Sequence, residues 1–290
     1  MKAVALESIR AELNQVLPVV KVSVEVIPGQ VDRGCTDFQR TRSPQGQDCY
    51  WIPWTEALGA WITAEGRAVV LAVSQGLQAE DLAAPLANGL VSVIVGACLN
   101  LSGTVAIHAN AVNLENRAVA FIGYSGAGKS TLSAFCLTQG AELLTDDVLR
   151  VDAAGNVYPG LARLKLYPET AAELGFSTTR TTPYKLHYHP IQIGGSLAPD
   201  AIPVGLLYLL AESPNQQIYT ESIAPSQAVF ELLSHSYYAT NLIPERSELL
   251  DAYANLVEQA PVRRLFYPRD LTLLPQVYNV LRQEMRLLFR

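Results

Sequence analysis

Gly123-Tyr124-Ser125-Gly126-Ala127-Gly128-Lys129-Ser130 stands directly after the apolar run Ala118-Val119-Ala120-Phe121-Ile122 and directly before a stretch carrying Leu132, Phe135 and Cys136 at helical spacing. It fills the pattern GxxxxGK[ST] in full, between a strand and a helix, the context in which that pattern wraps phosphates. At ordinary residue usage a chance match in a chain of 290 residues is on the order of 1%, before the context is required. The glycines let the backbone turn its N–H groups onto phosphate oxygens, and the helix start adds a partial positive charge. Lys129 brings a full charge to the terminal phosphates, and Ser130 can set its hydroxyl on Mg2+. Gly123, Ser125, Gly126, Ala127, Gly128, Lys129, Ser130 and Thr131 are the expected nucleotide-binding residues, with ATP and Mg2+ as cofactors. Gly140 reads as the residue that ends the helix.

One helix and one short strand further on comes Leu143-Leu144-Thr145-Asp146-Asp147. Neighbouring strand residues point to opposite faces, so both carboxylates serve one site only if the strand ends or twists there. By itself an Asp pair is more often a turn or a surface feature. Beside a complete phosphate loop it is a candidate for catalysis. His108, in the apolar strand that precedes the loop strand, is by itself more often a core histidine, but a neighbouring strand can bring it beside the carboxylates.

Ile107-His108-Ala109, the loop Gly123 to Ser130 and Leu143-Leu144-Thr145-Asp146-Asp147-Val148 together resemble the catalytic domain of HPr kinase/phosphorylase and its stand-alone relatives, over roughly residues 100 to 170. The resemblance implies an α/β P-loop kinase core of the HPr kinase C-terminal type. It further implies Asp146 as the general base that takes a serine proton, Asp147 with Ser130 at the metal, and His108 as the group that orients or balances the acids, alongside Lys129 in catalysis. The bifunctional enzymes carry a metal-binding glutamate in a Glu-Ile-Arg-Gly type segment after the Asp pair. Here the region reads Pro159-Gly160-Leu161-Ala162-Arg163-Leu164-Lys165-Leu166-Tyr167-Pro168-Glu169, with no matching glutamate. That stretch resembles the smaller HPr-kinase-related proteins, some of which act on ribosomal peptide precursors. The expected partner is a small protein or peptide bearing a serine. The acceptor's identity, any reverse reaction on phosphoserine, the nucleotide preference and any homo-oligomer stay open. So do a small-molecule kinase and a nucleotide-switched peptide-binding protein.

Around this centre the chain reads as two parts, an α+β accessory unit over 1–99 and the kinase domain over 100–290. An amphipathic helix with Leu6, Ile9, Leu13, Val16 and Leu17 is followed by the alternating strand Val20 to Val26 and a turn at Pro28-Gly29. Asp32 to Pro53 reads as loop-rich. Ala60 to Ala64 and Ala68 to Val73 read as a hairpin, and about 80 to 100 as a buried helix. Val105 to Val112 and Ala118 to Ile122 flank a turn at Asn113 to Arg117, Val204 to Leu210 is a strongly apolar strand, and 271–290 is a packing helix with Arg282, Arg286 and Arg290 on its solvated face. Lys185, after the threonine-rich stretch Ser177 to Thr182, is a candidate contact for a nucleotide or product. Arg163, Lys165 and Arg263-Arg264 are weighed between site and surface. His187 and His189 lack a third metal ligand.

The net charge of −6, with 17% charged residues, provides no basic field for a nucleic acid backbone. Cys35, Cys49, Cys98 and Cys136 form no CxxC pair and read as free thiols. The N-terminus has no signal-peptide core, and the longest apolar run, Leu86 to Leu99, is too short for a bilayer, so a cytoplasmic protein without membrane contact is expected.

Overall fold

A computed structural model describes residues 2–17, 20–27, 37–78, 89–176 and 185–289. The chain divides into two compact units, one of residues 1–104 with 237–249, the other of 105–236 with 250–290. Segment 237–249, placed by the sequence reading in the kinase domain, clusters with the N-terminal residues. The expected turn at Pro28-Gly29 and the stretch Ser177 to Thr182 lie outside the described residues. No helix among the described residues is long and apolar enough to cross a membrane.

The first unit opens with α1 (Lys2–Val16), on which Ile9 and Leu13 are fully buried. Its sheet holds β1 (Lys21–Ile27), β2 (Gln39–Arg42), β3 (Asp48–Thr55), β4 (Leu58–Thr63) and β5 (Ala68–Ser74), in the order β1-β5-β4-β3-β2. The β4–β5 hairpin falls where it was expected. The loop expected from Asp32 to Pro53 instead contains β2 and β3, an antiparallel pair. β2 is wholly polar and β3 carries Pro53, which hides strands whose stability comes from across the sheet: Trp51 of β3 faces Trp61 of β4 with rings 4.8 Å apart. Helix α2 (Leu90–Leu101) is buried along almost its whole length. The returning segment is pinned by Phe38, which stacks between Tyr50 and Tyr238 at 5.0 and 4.1 Å, and by Glu245, which accepts from Tyr50 Oη at 2.7 Å and pairs with Arg40.

In the second unit, β6 (Val105–Leu114) and β7 (Arg117–Ile122) form a hairpin closed by Glu115 and Asn116, both at positive φ, 55° and 62°. The turn is thus two residues, tighter than the expected Asn113 to Arg117, and its φ values are those of the mirror-image turn that suits strand twist. Then come α3 (Lys129–Thr138), β8 (Glu142–Thr145), β9 (Val148–Val151), β10 (Asn156–Val157), β11 (Leu164–Leu166), α4 (Pro168–Glu173), β12 (Leu186–Tyr188) and β13 (Ser196–Leu197). The chain continues through β14 (Ile202–Glu212), β15 (Tyr219–Ser222), α5 (Pro225–Ser234), a helix spanning Ser247–Gln259, β16 (Val262–Tyr267) and a last helix, Leu274–Leu288.

Strand β7 lies between β6, antiparallel, and β14, parallel, with β16 parallel beyond β14. Ala118 to Ile122 are all fully buried, which is why β7 reads as an unbroken apolar run and not as an alternation. Helix α3 buries two sides. Leu132 and Cys136 join a core with Phe121, Tyr208, Leu265, Val277 and Leu281, while Ala134 and Leu137 pack with Leu143, Leu164, Leu166 and Tyr188. The fold is a mixed α/β arrangement, and this clamping of α3 fixes the loop in front of it.

Candidate functional site

The glycine-rich loop runs from the end of β7 to the start of α3, and it is held by its own lysine and by residues at the end of β16. Lys129 Nζ donates to the carbonyls of Gly123 and Tyr124 at 2.6 and 3.3 Å. Tyr267, the last residue of β16, donates through Oη to Ala127 O at 2.8 Å, and just beyond it the Arg269 guanidinium donates to Gly126 O. Gly128 sits at φ 95°, and a Cβ there would come within 2.2 Å of Tyr267 Oη, so this position requires glycine on two counts. Burial and the absence of solvent around its amine push Lys129 down to about 8.

A cavity of about 290 Å3 opens on this loop, lined by residues 126–131 together with Lys165, Tyr167, Thr170 and Lys185. Gly126, Ala127, Gly128, Lys129, Ser130 and Thr131 share one wall of it, while Gly123 and the exposed Ser125 do not line it. Lys185 places its ammonium 5.4 Å from the centre of the Tyr167 ring. Three lysines line this one small cavity, and the charge of one of them, Lys165, is met by Asp147.

The two acids reach the loop through Ser130 and Lys165. Strands β8 and β9 both pair with β6, and Asp146-Asp147 interrupts the pairing between them. Asp147 takes φ 83°, a left-handed conformation that Asp tolerates better than most residues, and Thr145 Oγ1 donates across the interruption to Val148 O at 2.8 Å. This break resolves the problem of opposite faces. Asp146 Oδ2 accepts from the Lys165 backbone amide at 2.9 Å, and the Lys165 ammonium pairs with Asp147, with both side chains buried. The segment that carries Lys165 is set against β8 by the Gly160 amide, which donates to Leu144 O at 2.8 Å.

Ser130 Oγ donates to Asp146 Oδ1 at 3.3 Å. The carboxylate at the serine hydroxyl is thus Asp146, whereas the sequence paired Ser130 with Asp147 at the metal. At the chain break the left-handed turn at Asp147 swings its side chain to Lys165. Asn110, opposite Asp146 on β6, donates through Nδ2 to Asp146 Oδ1 at 2.6 Å and contacts Ser130 Oγ at 3.4 Å. Burial first, then Asp147, raise the pKa of Asp146.

His108 lies on β6, with its backbone amide on His235 O at 2.7 Å. Burial, then the charge of Lys129, lower its pKa to about 4, so the ring is neutral at pH 7 and can orient the acids but not balance their charge. Among the described residues no group of three or more His, Cys, Asp and Glu side chains is placed to hold a metal ion. His187 is exposed and His189 caps the turn Pro190–Ile193 through Nδ1. Arg263 pairs with Glu284 and Arg264 with Glu231, in keeping with structural roles. Asn110, Tyr167, Tyr267 and Arg269 were not picked out from the sequence: an asparagine in a strand and a tyrosine at a strand end look like many others until the sheet sets them beside the loop.

No protein-family model matches the chain. A search of curated proteins likewise finds no match. Among solved structures, the chain is similar to the Hpr(Ser) kinase/phosphatase from Coxiella burnetii at 16% identity and a TM-score of 0.31, over 62% of this chain and 98% of that one. A likeness this distant assigns no residue a role.

Proposed function

We propose that this chain is an ATP- and Mg2+-dependent kinase, acting in the cytoplasm on a serine hydroxyl of a small protein or peptide. The observation that carries the reading is the meeting of Ser130 Oγ with Asp146 Oδ1 at the helix start behind a glycine-rich loop. A hydroxyl and a carboxylate there are the hard oxygen donors that Mg2+ takes beside nucleotide phosphates, so the residues present fit that ion. When bound, Mg·ATP supplies the phosphoryl group and part of the charge neutralisation.

The chain's own residues supply the rest. The loop amides and Lys129 position the phosphates, and Lys185 adds positive charge along the same cavity. Ser130 and Asp146 hold the cation side. Asp147, fixed by Lys165, is assigned to the acceptor: it takes the serine proton while the serine oxygen bonds to the γ-phosphorus and the bridging oxygen leaves on ADP with its electron pair. The choice of a serine-bearing peptide rests on the sequence resemblance of His108, the loop and the Asp pair, and the divergent Pro159 to Glu169 segment favours a peptide precursor over HPr.

The test is transfer of labelled phosphate from ATP to a panel of serine-containing peptides and small proteins, with the modified residue located by mass spectrometry. Asp147→Asn should retain Mg·ATP binding and lose transfer, and Asp146→Asn should lose the Mg2+ dependence of binding. Transfer to a metabolite with none to any peptide overturns the acceptor class. Nucleotide binding with slow hydrolysis and no transfer would make the chain a nucleotide-switched binding protein.

A further inference from the structure

Asn110 is fully buried, and its side chain is split between two situations. Its Nδ2 faces Asp146 Oδ1 at 2.6 Å and Ser130 Oγ at 3.4 Å, while its Oδ1 is buried with no hydrogen-bond partner among the described residues. The amide orientation follows from the chemistry, because the opposite one would set a carbonyl oxygen against a carboxylate. A buried carbonyl oxygen without a donor is costly, so a strand that keeps one needs a reason.

We infer that Asn110 is a positioning residue of the cation site, holding Asp146 and Ser130 through its amide nitrogen so that both present their oxygens to a divalent cation. The inference rests on the reading of the loop as a nucleoside triphosphate site. The three groups come from separate elements, β6, the start of α3 and the break after β8, and one carboxamide joins them. Asn110 does not line the cavity, so its effect on the nucleotide passes through Asp146 and Ser130. A role confined to packing would leave the cation dependence of binding unchanged. A role in orienting the cation's ligands would change that dependence and leave cation-free nucleotide binding alone.

The experiment measures ATP affinity by calorimetry on the full chain, with Mg2+ and with EDTA, for wild type, Asn110→Ala and Asn110→Ser, with thermal unfolding of each apoprotein alongside. The expected result is cation-free affinity within about twofold of wild type and a Mg2+-dependent gain reduced roughly tenfold in Asn110→Ala, the size of one lost charge-assisted contact. Where Asn110→Ala does not fold, the same split read in Asn110→Ser decides. A Mg2+-dependent gain equal to wild type in the folded variants, or an equal loss with and without Mg2+, overturns the inference while leaving the nucleotide site standing. Wild-type protein that binds no nucleotide under either condition overturns both readings.

Discussion

The backbone amide of Lys165 donates to Asp146 Oδ2 at 2.9 Å, and the ammonium of the same residue pairs with Asp147. One residue thereby fixes both acids, the first by its main chain and the second by its charge. With both side chains about nine-tenths buried, removing the ammonium strands a carboxylate in low dielectric. Lys165→Met should therefore destabilise the protein by about 3–5 kcal/mol, read from urea unfolding. Because the backbone contact survives, Asp147→Asn added to Lys165→Met should recover a large part of that loss. A single variant within about 0.5 kcal/mol of wild type would show that the pair is not a buried one.

The loop offers a second test at Tyr267, which stands behind Gly128 and donates to Ala127 O. Burial pushes its hydroxyl up to about 12, so it is a donor throughout the working pH range. Tyr267→Phe keeps the ring and removes the hydrogen bond, a loss of about 1 kcal/mol. If loop order is what the hydroxyl supports, ATP affinity should fall by about fivefold, the equivalent of that energy. Gly128→Ala, which combines the clash with the left-handed backbone, should abolish binding. Calorimetry reads both, and Tyr267→Phe binding ATP as wild type does would leave the hydroxyl without a part in loop order.

How much of this was legible in the sequence depends on how local each signal is. The loop and α3 were legible because their pattern is contiguous, and the Asp pair because it sits at a fixed remove from the loop. The β2–β3 pair was not, since Gln39 to Arg42 has no apolar alternation and its strand character comes from pairing with β3. Which aspartate meets Ser130 was equally hidden. Asp146 and Asp147 are chemically identical, and only the left-handed φ at Asp147, set by the broken pairing with β6, tells them apart. Asn110 becomes informative once register places it across from Asp146.

His108 yields a prediction in pH. Its pKa in the fold is about 4, against about 6.5 in an unfolded chain. Above pH 6.5 both states hold a neutral ring and the group contributes nothing. As pH falls from 6.5 toward 4 the unfolded chain binds a proton that the folded one does not, so stability is lost over that window and levels off below it. The full effect is about 3–4 kcal/mol at the usual 1.36 kcal/mol per unit. Urea unfolding of wild type and His108→Gln between pH 7.5 and 4 should show the wild type losing that much more than the variant. Parallel curves would place His108 in a solvated setting.

The last helix poses the final test, far from the loop. Glu284 accepts from Tyr208 Oη at 2.5 Å, from Arg263 Nη1 at 2.6 Å and from Thr220 Oγ1, so one carboxylate ties the helix Leu274–Leu288 to β14, β16 and β15. The Tyr208 ring is fully buried, and burial with the carboxylate beside it pushes the phenol well above its ordinary range. Glu284→Ala leaves a phenol and a guanidinium without their acceptor, a loss of about 3–5 kcal/mol. Tyr208→Phe removes one donor and should lose about 1 kcal/mol. In the double variant the phenol is no longer stranded, so the two losses should fall short of adding by more than the roughly 0.5 kcal/mol expected of independent sites. Strict additivity in thermal or urea unfolding would mean that the helix is held by Leu274, Val277, Leu281 and Met285 alone, with Glu284 a bystander.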